Sequence, residues 1–342
     1  MNKLISVAIL GASGVVGEAA IEILQQRNFP VDKLYLLASE RSSGSTAMFK
    51  GRPILIENVA DFDFSKVKIA IFSAGAETSA QYAPKAVKAG CIVIDNTSQF
   101  RYDEDVPLVV SEVNPEMIPQ GIKRGIIANP NCSTMQMVVA LKPIYDAVGI
   151  TRINFASYQS VSGAGREALE ELAQQTSGML TGNKHKAKVF PVQIAFNVIP
   201  HIDVFEENGY TREEMKVVWE TRKIFNDNEI MVNPTAVRVP VFFGHSEAVH
   251  IETREKITVE QARQLLKNAP GVVLVDERAA KGYPTPVTHA AMQDGVFVGR
   301  LREDISHPRG LDMWIVSDNV RKGAALNAVQ IAEQCVKLLL AE

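Results

Sequence analysis

The sequence predicts an α/β chain of two parts, a doubly wound parallel sheet followed by an α+β portion built on a mixed sheet. Two observations carry that expectation. Up to about residue 150, short apolar runs alternate with stretches of helical periodicity, which is the pattern of repeated β–α–β units. From about Thr151 the apolar runs lengthen and the helices fall irregularly between them, as in a mixed sheet. The 342 residues, 46% of them hydrophobic, also suffice for two cores of ordinary size.

The runs Ile5–Leu10, Leu34–Ala38, Lys68–Phe72, Cys91–Ile94, Leu108–Val110 and Ile126–Ala128 are short and rich in branched residues, as strands buried on both faces must be. Between them, Val15–Arg27 and Glu77–Ala89 repeat their apolar residues at helical spacing. In the second part, strands are expected at Ile153–Val161, Thr235–Phe243, Glu247–Thr253, Val296–Arg302 and Met313–Ser317. Helices are expected near Glu167–Met179, Arg212–Ile224 and Val259–Asn268. The last segment, Lys322–Leu340, places Ala325, Val329, Ala332, Val336 and Leu339 on one helical face and is expected to pack back on the first part. The domains are therefore drawn as 1–132 with 319–342, and 133–318.

Charge and apolar patterning exclude several classes of function. Lys and Arg number 36 against 39 Asp and Glu, a net charge of −3, which argues against a nucleic-acid binder. The basic loop around Lys184, Lys186 and Lys188 reads as solvated surface. Apolar runs such as Leu34–Ala38 and Met137–Leu141 fall far short of the roughly 18 residues of a membrane span. The first apolar stretch runs straight into a glycine loop, unlike a cleavable leader. A cytoplasmic protein is expected. Cys91, Cys132 and Cys335 are too far apart for a zinc motif, and no metal site is expected; an odd, sparse set suits a reducing compartment.

The glycine loop is Gly11-Ala-Ser13-Gly14-Val15-Val16-Gly17, placed between the first strand and the first helix. Glycines there permit a tight turn and close backbone approach, and the helix amino terminus offers free N–H groups to a pyrophosphate. The spacing is GxxGxxG, a variant of the Rossmann-type fingerprint, so its position counts for more than the pattern; a merely structural turn is the alternative. After the second strand comes Ser39-Glu40-Arg41-Ser42-Ser43-Gly44. Arg41 and Ser42 suit a 2′-phosphate and favour NADP; Glu40, if it faces the ribose, would favour NAD instead.

Cys132 lies in Asn129-Pro130-Asn131-Cys132-Ser133-Thr134, where a short strand gives way to a helical segment. A helix amino terminus stabilises a thiolate, so Cys132 is a candidate nucleophile, whereas Cys91 and Cys335 read as packed thiols. A thiolate beside a nicotinamide points to aldehyde chemistry through a covalent thioester. Such chemistry needs a proton carrier, and His245, beside Gly244 after a strand-like run, is the candidate.

Together these motifs resemble the aspartate-semialdehyde dehydrogenase family over nearly the whole chain. Gln159 to Gly165, Glu220-Thr221-Arg222-Lys223, Arg238-Val239-Pro240-Val241, Gly244-His245 and Asp318-Asn319 add to the likeness. The similar acetylglutamyl-phosphate reductases usually carry glycine where this chain has Asn131. The resemblance implies reversible, NADPH-dependent reduction of 4-phospho-L-aspartate to L-aspartate 4-semialdehyde and phosphate. It implies Cys132 as nucleophile, Gln159 as a holder of the acyl intermediate, and His245 as acid/base. It further implies Arg238 for the substrate carboxylate, Glu220 for its ammonium, Arg101 with Lys223 for phosphate, and Asn131 as a substrate contact. The glycine loop with Ser13, Val15 and Val16, together with Arg41, Ser42, Ser162, Gly163 and Asn319, is implied for the cofactor, and a homodimer for the assembly. Glu220 and Lys223 stand at i, i+3, so a plain surface ion pair explains them equally well. Arg238 and His245 are seven apart, which in one unbroken strand would put them on opposite faces; Pro240 and Gly244 are the places for a break. A reductase of another acyl phosphate or thioester, and a catalytically silent NADP-binding paralogue, remain the alternatives.

Overall fold

The computed structural model describes residues 4–183 and 185–341; Lys184 of the basic loop lies outside them. The chain forms two compact units, one made of residues up to Asn131 together with those from Ala324 onward, the other of Cys132–Gly323.

The first unit contains β1 (Ile5–Leu10), α1 (Val15–Gln26), β2 (Val31–Ala38), β3 (Thr46–Phe49), β4 (Arg52–Asn58), β5 (Ile69–Phe72), α2 (Ala76–Lys88), β6 (Ile92–Asp95), α3 (Ile118–Arg124) and β7 (Ile126–Ala128). Its sheet has the order β3-β4-β2-β1-β5-β6-β7 and is parallel except for the β3–β4 pair. From β1 the chain winds outward one way through β2 and the other way through β5. The loop after β1 therefore lies at the switch point where doubly wound sheets open a crevice.

One predicted strand is lost and two unpredicted ones appear. Leu108–Val110 makes only an isolated bridge, Leu108 to Ala128. Val109 N still reaches the Ala128 carbonyl at 3.0 Å, but Asn114 takes the flanking groups, accepting from Val110 N and donating to the Leu108 carbonyl, both at 2.9 Å. The β3–β4 hairpin, turning at Lys50 (φ 49°) and Gly51 (φ 75°), was not expected from the sequence.

The second unit opens with α4 (Cys132–Val148), in which every residue from Ser133 to Leu141 is buried. There follow β8 (Ile150–Gln159), α5 (Arg166–Thr181), α6 (Arg212–Phe225), β9 (Met231–Arg238), β10 (His245–Thr253), α7 (Val259–Lys267), β11 (Val272–Leu274), β12 (Val296–Glu303) and β13 (Gly310–Ser317). The sheet order is β11-β12-β13-β10-β8-β9, and it is mixed: β8–β9 and β11–β12 are parallel, the other pairs antiparallel. Thr211 and Glu214 close a capping box on α6. The strand expected at Thr235–Phe243 stops at Arg238, because Pro240 has no N–H for a ladder and the chain crosses to a new strand before His245.

The terminal helix, α8 (Asn327–Ala341), belongs to the first unit. Ala325, Val329, Ala332 and Val336 join a core with Ile9, Ile23 and Ile94. Asn327 fixes its start, donating to the Val109 carbonyl and accepting from Ser111 N, each at 2.9 Å. Among the described residues, no helix is long and apolar enough to cross a membrane.

Candidate active site

In the first unit, Gly11 adopts φ 90°, and a Cβ there would stand 2.8 Å from the Ser73 backbone at the end of β5. A Cβ on Gly17 would stand 2.1 Å from the Gly11 carbonyl oxygen. The variant spacing is thus dictated by packing: Gly17 lets the first turn of α1 lie directly on the loop. Beside the loop lies a cavity of about 550 Å³ whose lining includes Gly11, Ser13, Gly14, Glu40, Ser42 and Tyr82. Arg41, between two lining residues, is exposed and not part of that lining. Val15 and Val16 open α1. The cavity, the free helix terminus and the crowded glycines fit a dinucleotide. Gly17→Ala is expected to lower NADP+ affinity at least roughly tenfold and to destabilise the fold by about 1–3 kcal/mol, the usual effect of overpacking; fluorescence titration and thermal unfolding measure the two.

Arg101, also in this unit, is buried, and its guanidinium donates to the carbonyls of Thr97 (3.0 Å) and Asn96 (2.8 Å). Asn131 is buried at the end of the same unit.

In the second unit, sheet topology brings the chemistry together. β8 and β9 run parallel and β10 runs against β8, so the ends of β8 and β9 and the start of β10 share one edge. Those ends are Gln159, Arg238 and His245. β13 runs against β10, with Ser317 opposite His245, which brings Asp318 and Asn319 to the same edge. The seven-residue spacing of Arg238 and His245 is resolved because they sit on different strands.

Cys132 is the first residue of α4 and is partly exposed, with its Sγ 3.3 Å from Nε2 of His245. The opposite ring nitrogen, Nδ1, accepts the backbone N–H of Ser160 at 3.1 Å. A backbone N–H can only donate, so the neutral ring carries its proton on Nε2, facing the sulfur. The ring is fully buried; burial first, and then the Arg238 charge, push its pKa down to about 3, with Glu213 opposing. Asn319 secures this arrangement: its Oδ1 accepts from Ser160 Oγ (3.0 Å), Ser162 Oγ (3.1 Å) and Gly244 N (3.0 Å). A Cβ on Gly163 would stand 3.1 Å from Arg238 Nη1 and 3.4 Å from the His245 ring.

Arg238 donates Nη1 to the Ser160 carbonyl at 2.7 Å. Gln159 donates to Glu213 Oε1 (3.0 Å) and to Ser157 Oγ (3.2 Å), while Ser133 Oγ donates to the same Glu213 oxygen (3.3 Å). Lys216 pairs with the other Glu213 oxygen at 3.2 Å. The carboxylate tied to Gln159 and acting on Arg238 and His245 is therefore Glu213, not Glu220. Glu220 is buried seven residues on, about 10 Å further along α6, and Lys223 lies half-buried in the last turn. Glu213 and Lys216 repeat the i, i+3 spacing of Glu220 and Lys223, and sequence reading passed over them. It also passed over Ser160 and over Gly323, where a Cβ would stand 2.7 Å from the Cys132 Cβ.

Beneath the pair lies Glu247, two residues along β10 from His245, fully buried and with neither carboxyl oxygen hydrogen-bonded. Ser157 of β8 and Ile315 of β13 flank it in register. Burial pushes its pKa well above the ordinary value, against a smaller opposing effect of the Gln136 amide on α4. Above pH 4.5 the unfolded chain has released this proton and the folded one keeps it, so stability falls as pH rises, by up to about 1.4 kcal/mol per unit until the folded pKa is passed. Glu247→Gln is expected to flatten the dependence and to be more stable than the parent at pH 8; urea unfolding from pH 5 to 8 measures this.

The chain matches two family models, "Semialdehyde dehydrogenase, NAD binding domain" over residues 6–121 and "Semialdehyde dehydrogenase, dimerisation domain" over residues 141–322. It is 60% identical over 333 residues to an aspartate-semialdehyde dehydrogenase of Legionella pneumophila, covering 97% of this chain and 96% of that one. The chain belongs to the aspartate-semialdehyde dehydrogenase family. Within that family, the Vibrio cholerae aspartate semialdehyde dehydrogenase II solved as a complex with ASA superposes with a TM-score of 0.96 at 59% identity, over 98% of this chain and 99% of that one. The Candida albicans aspartate semialdehyde dehydrogenase solved with NADP superposes at 0.75 with 26% identity, over 97% and 98%.

Proposed function

We propose that the protein is an NADP-dependent aspartate-semialdehyde dehydrogenase that reversibly reduces 4-phospho-L-aspartate to L-aspartate 4-semialdehyde and phosphate. This reaction lies in lysine, threonine and methionine biosynthesis. The observation that carries the reading is the Cys132–His245 contact at a helix amino terminus, with the imidazole proton on the sulfur side.

The Cys132 thiolate attacks the acyl phosphate carbon; the C–S bond forms, the C–O bond to phosphate breaks, and phosphate leaves. When bound, NADPH supplies the hydride that reduces the thioester carbon. His245 donates its Nε2–H as a hydrogen bond to the oxygen that gains charge, and the tetrahedral species collapses to the aldehyde with the C–S bond breaking to restore the Cys132 thiolate. Arg238 favours the thiolate by its charge and offers its fork to the α-carboxylate. Gln159 holds the acyl group over the sulfur. Glu213 replaces Glu220 as the partner of the α-ammonium, and Lys216 replaces Lys223 as a phosphate ligand; Arg101 is the second phosphate ligand and Asn131 a substrate contact. An N-acylated substrate would leave Glu213 facing a neutral amide, which favours a free amine over other acyl phosphates.

Residues 1–132 with 319–342 serve as the NADP-binding domain and 133–318 as the catalytic and dimerisation domain of a cytoplasmic homodimer. Gly11, Ser13, Gly14, Val15, Val16 and Gly17 take the pyrophosphate, Arg41 and Ser42 the 2′-phosphate, and Ser162, Gly163 and Asn319 the nicotinamide end. The test is NADP+ reduction with L-aspartate 4-semialdehyde. Turnover should require phosphate and fall when NAD+ replaces NADP+; turnover without phosphate, or none at all, would overturn the assignment.

A further inference from the structure

From Gly182 to Val198 the described residues form neither helix nor strand. A segment of that length needs something to hold it, and here a buried carboxylate does so. Glu171, in the middle of α5, accepts the backbone N–H groups of Lys188 and Val189, each at 2.7 Å, and of Phe190 at 3.4 Å. One turn later, Gln175 accepts from Ile194 N (2.9 Å) and Ala195 N (3.1 Å), and it donates to Glu171 at 3.2 Å. Ala168 and Leu172 of the same helix pack on Ile194, Ala195 and Phe190.

This clamp places an aromatic ring on the proposed carboxylate ligand. The Phe190 ring centroid is 5.9 Å from the Arg238 guanidinium carbon, while Arg238 Nη1 is drawn to the Ser160 carbonyl. One N–H is thereby used and the cation rests over the Phe190 ring, two contacts that orient the fork. A carboxylate suits residue 171, since it offers several lone pairs to the converging N–H groups. We propose that Glu171 is a positioning residue for substrate selection: by anchoring residues 188–190 it seats Phe190 against Arg238 and holds that cation ready for the substrate's α-carboxylate. This inference rests on the reading of Arg238 given above.

Steady-state kinetics of Glu171→Gln tests it. The KM for L-aspartate 4-semialdehyde should rise roughly tenfold, the scale of a lost cation–aromatic contact together with disorder at the fork, while kcat and the KM for NADP+ stay within about twofold. Phe190→Leu should raise the same KM, and the double variant should be no worse than the poorer single one, because the two residues act through one contact. Propanal, which has no carboxylate, should be turned over equally by Glu171→Gln and the parent. An unchanged KM in Glu171→Gln, additive effects, or an equal penalty with propanal would overturn the proposal. Should Glu171→Gln fail to fold on thermal unfolding, Phe190→Leu with the two aldehydes decides alone. Arg238→Leu separates the two levels: if it leaves the KM for L-aspartate 4-semialdehyde unchanged, the reading of Arg238 itself falls.

Discussion

Cys132→Ser lowers kcat by at least about 10⁴-fold and leaves NADP+ affinity unchanged. The reason is the histidine tautomer more than the loss of sulfur. Because Ser160 N–H occupies Nδ1, the nitrogen facing residue 132 already bears a proton and cannot act as base in the first step. A helix amino terminus and the Arg238 charge both favour a thiolate, whereas a serine hydroxyl, far less acidic, needs a base that this geometry withholds. Stopped-flow turnover beside a cofactor titration measures both quantities. A serine variant within a factor of ten of the parent would show that the ring accepts protons from residue 132.

His245→Asn is expected to lower kcat by about 10²- to 10⁴-fold, the range for loss of a positioned acid. Asparagine can still accept the Ser160 N–H, so folding survives and the loss is chemical. In the parent, kcat/KM should show no inflection near the ordinary histidine value of about 6.5, because burial and Arg238 hold this ring's pKa down at about 3. The stability linkage has a definite sign. Below 6.5 the unfolded chain takes up a proton that the buried ring refuses, so stability falls as pH drops from 6.5 toward 3, and His245→Asn removes that part of the acid sensitivity. A pH–rate profile and acid unfolding of both proteins measure these effects.

Much of the architecture was legible because its physics is local. Ile5–Leu10 and Ile126–Ala128 are apolar enough to be strands in any context, and the glycine loop declares a strand-to-helix turn. What was illegible depended on partners far away in sequence. The run Leu108–Val110 looks like a strand, yet the Asn114 side chain takes the hydrogen bonds of Val110 N and the Leu108 carbonyl and leaves it one bridge to β7. The β3–β4 hairpin carries Pro53 and an irregular pattern of exposure, which hides its alternation.

The carboxylate of α6 shows the same limit at the site. Glu213-Lys216 and Glu220-Lys223 have identical spacing on α6, and seven residues is close to two turns, so both glutamates lie on nearly the same face. Nothing along the helix distinguishes them. Only the β8 end, where Gln159 reaches Glu213, does so. The convergence of Gln159, Arg238, His245 and Asn319 likewise follows from strand directions in the mixed sheet, which no single segment encodes.

A covalent aspartyl thioester on Cys132 is tested directly by acid quench followed by peptide mass spectrometry. The enzyme would be mixed with 4-phospho-L-aspartate, with and without NADPH. One aspartyl group is expected on the Cys132 peptide and none on Cys91 or Cys335, and it should disappear when NADPH is present. An unmodified Cys132 in an enzyme that still releases phosphate and forms aldehyde would contradict it.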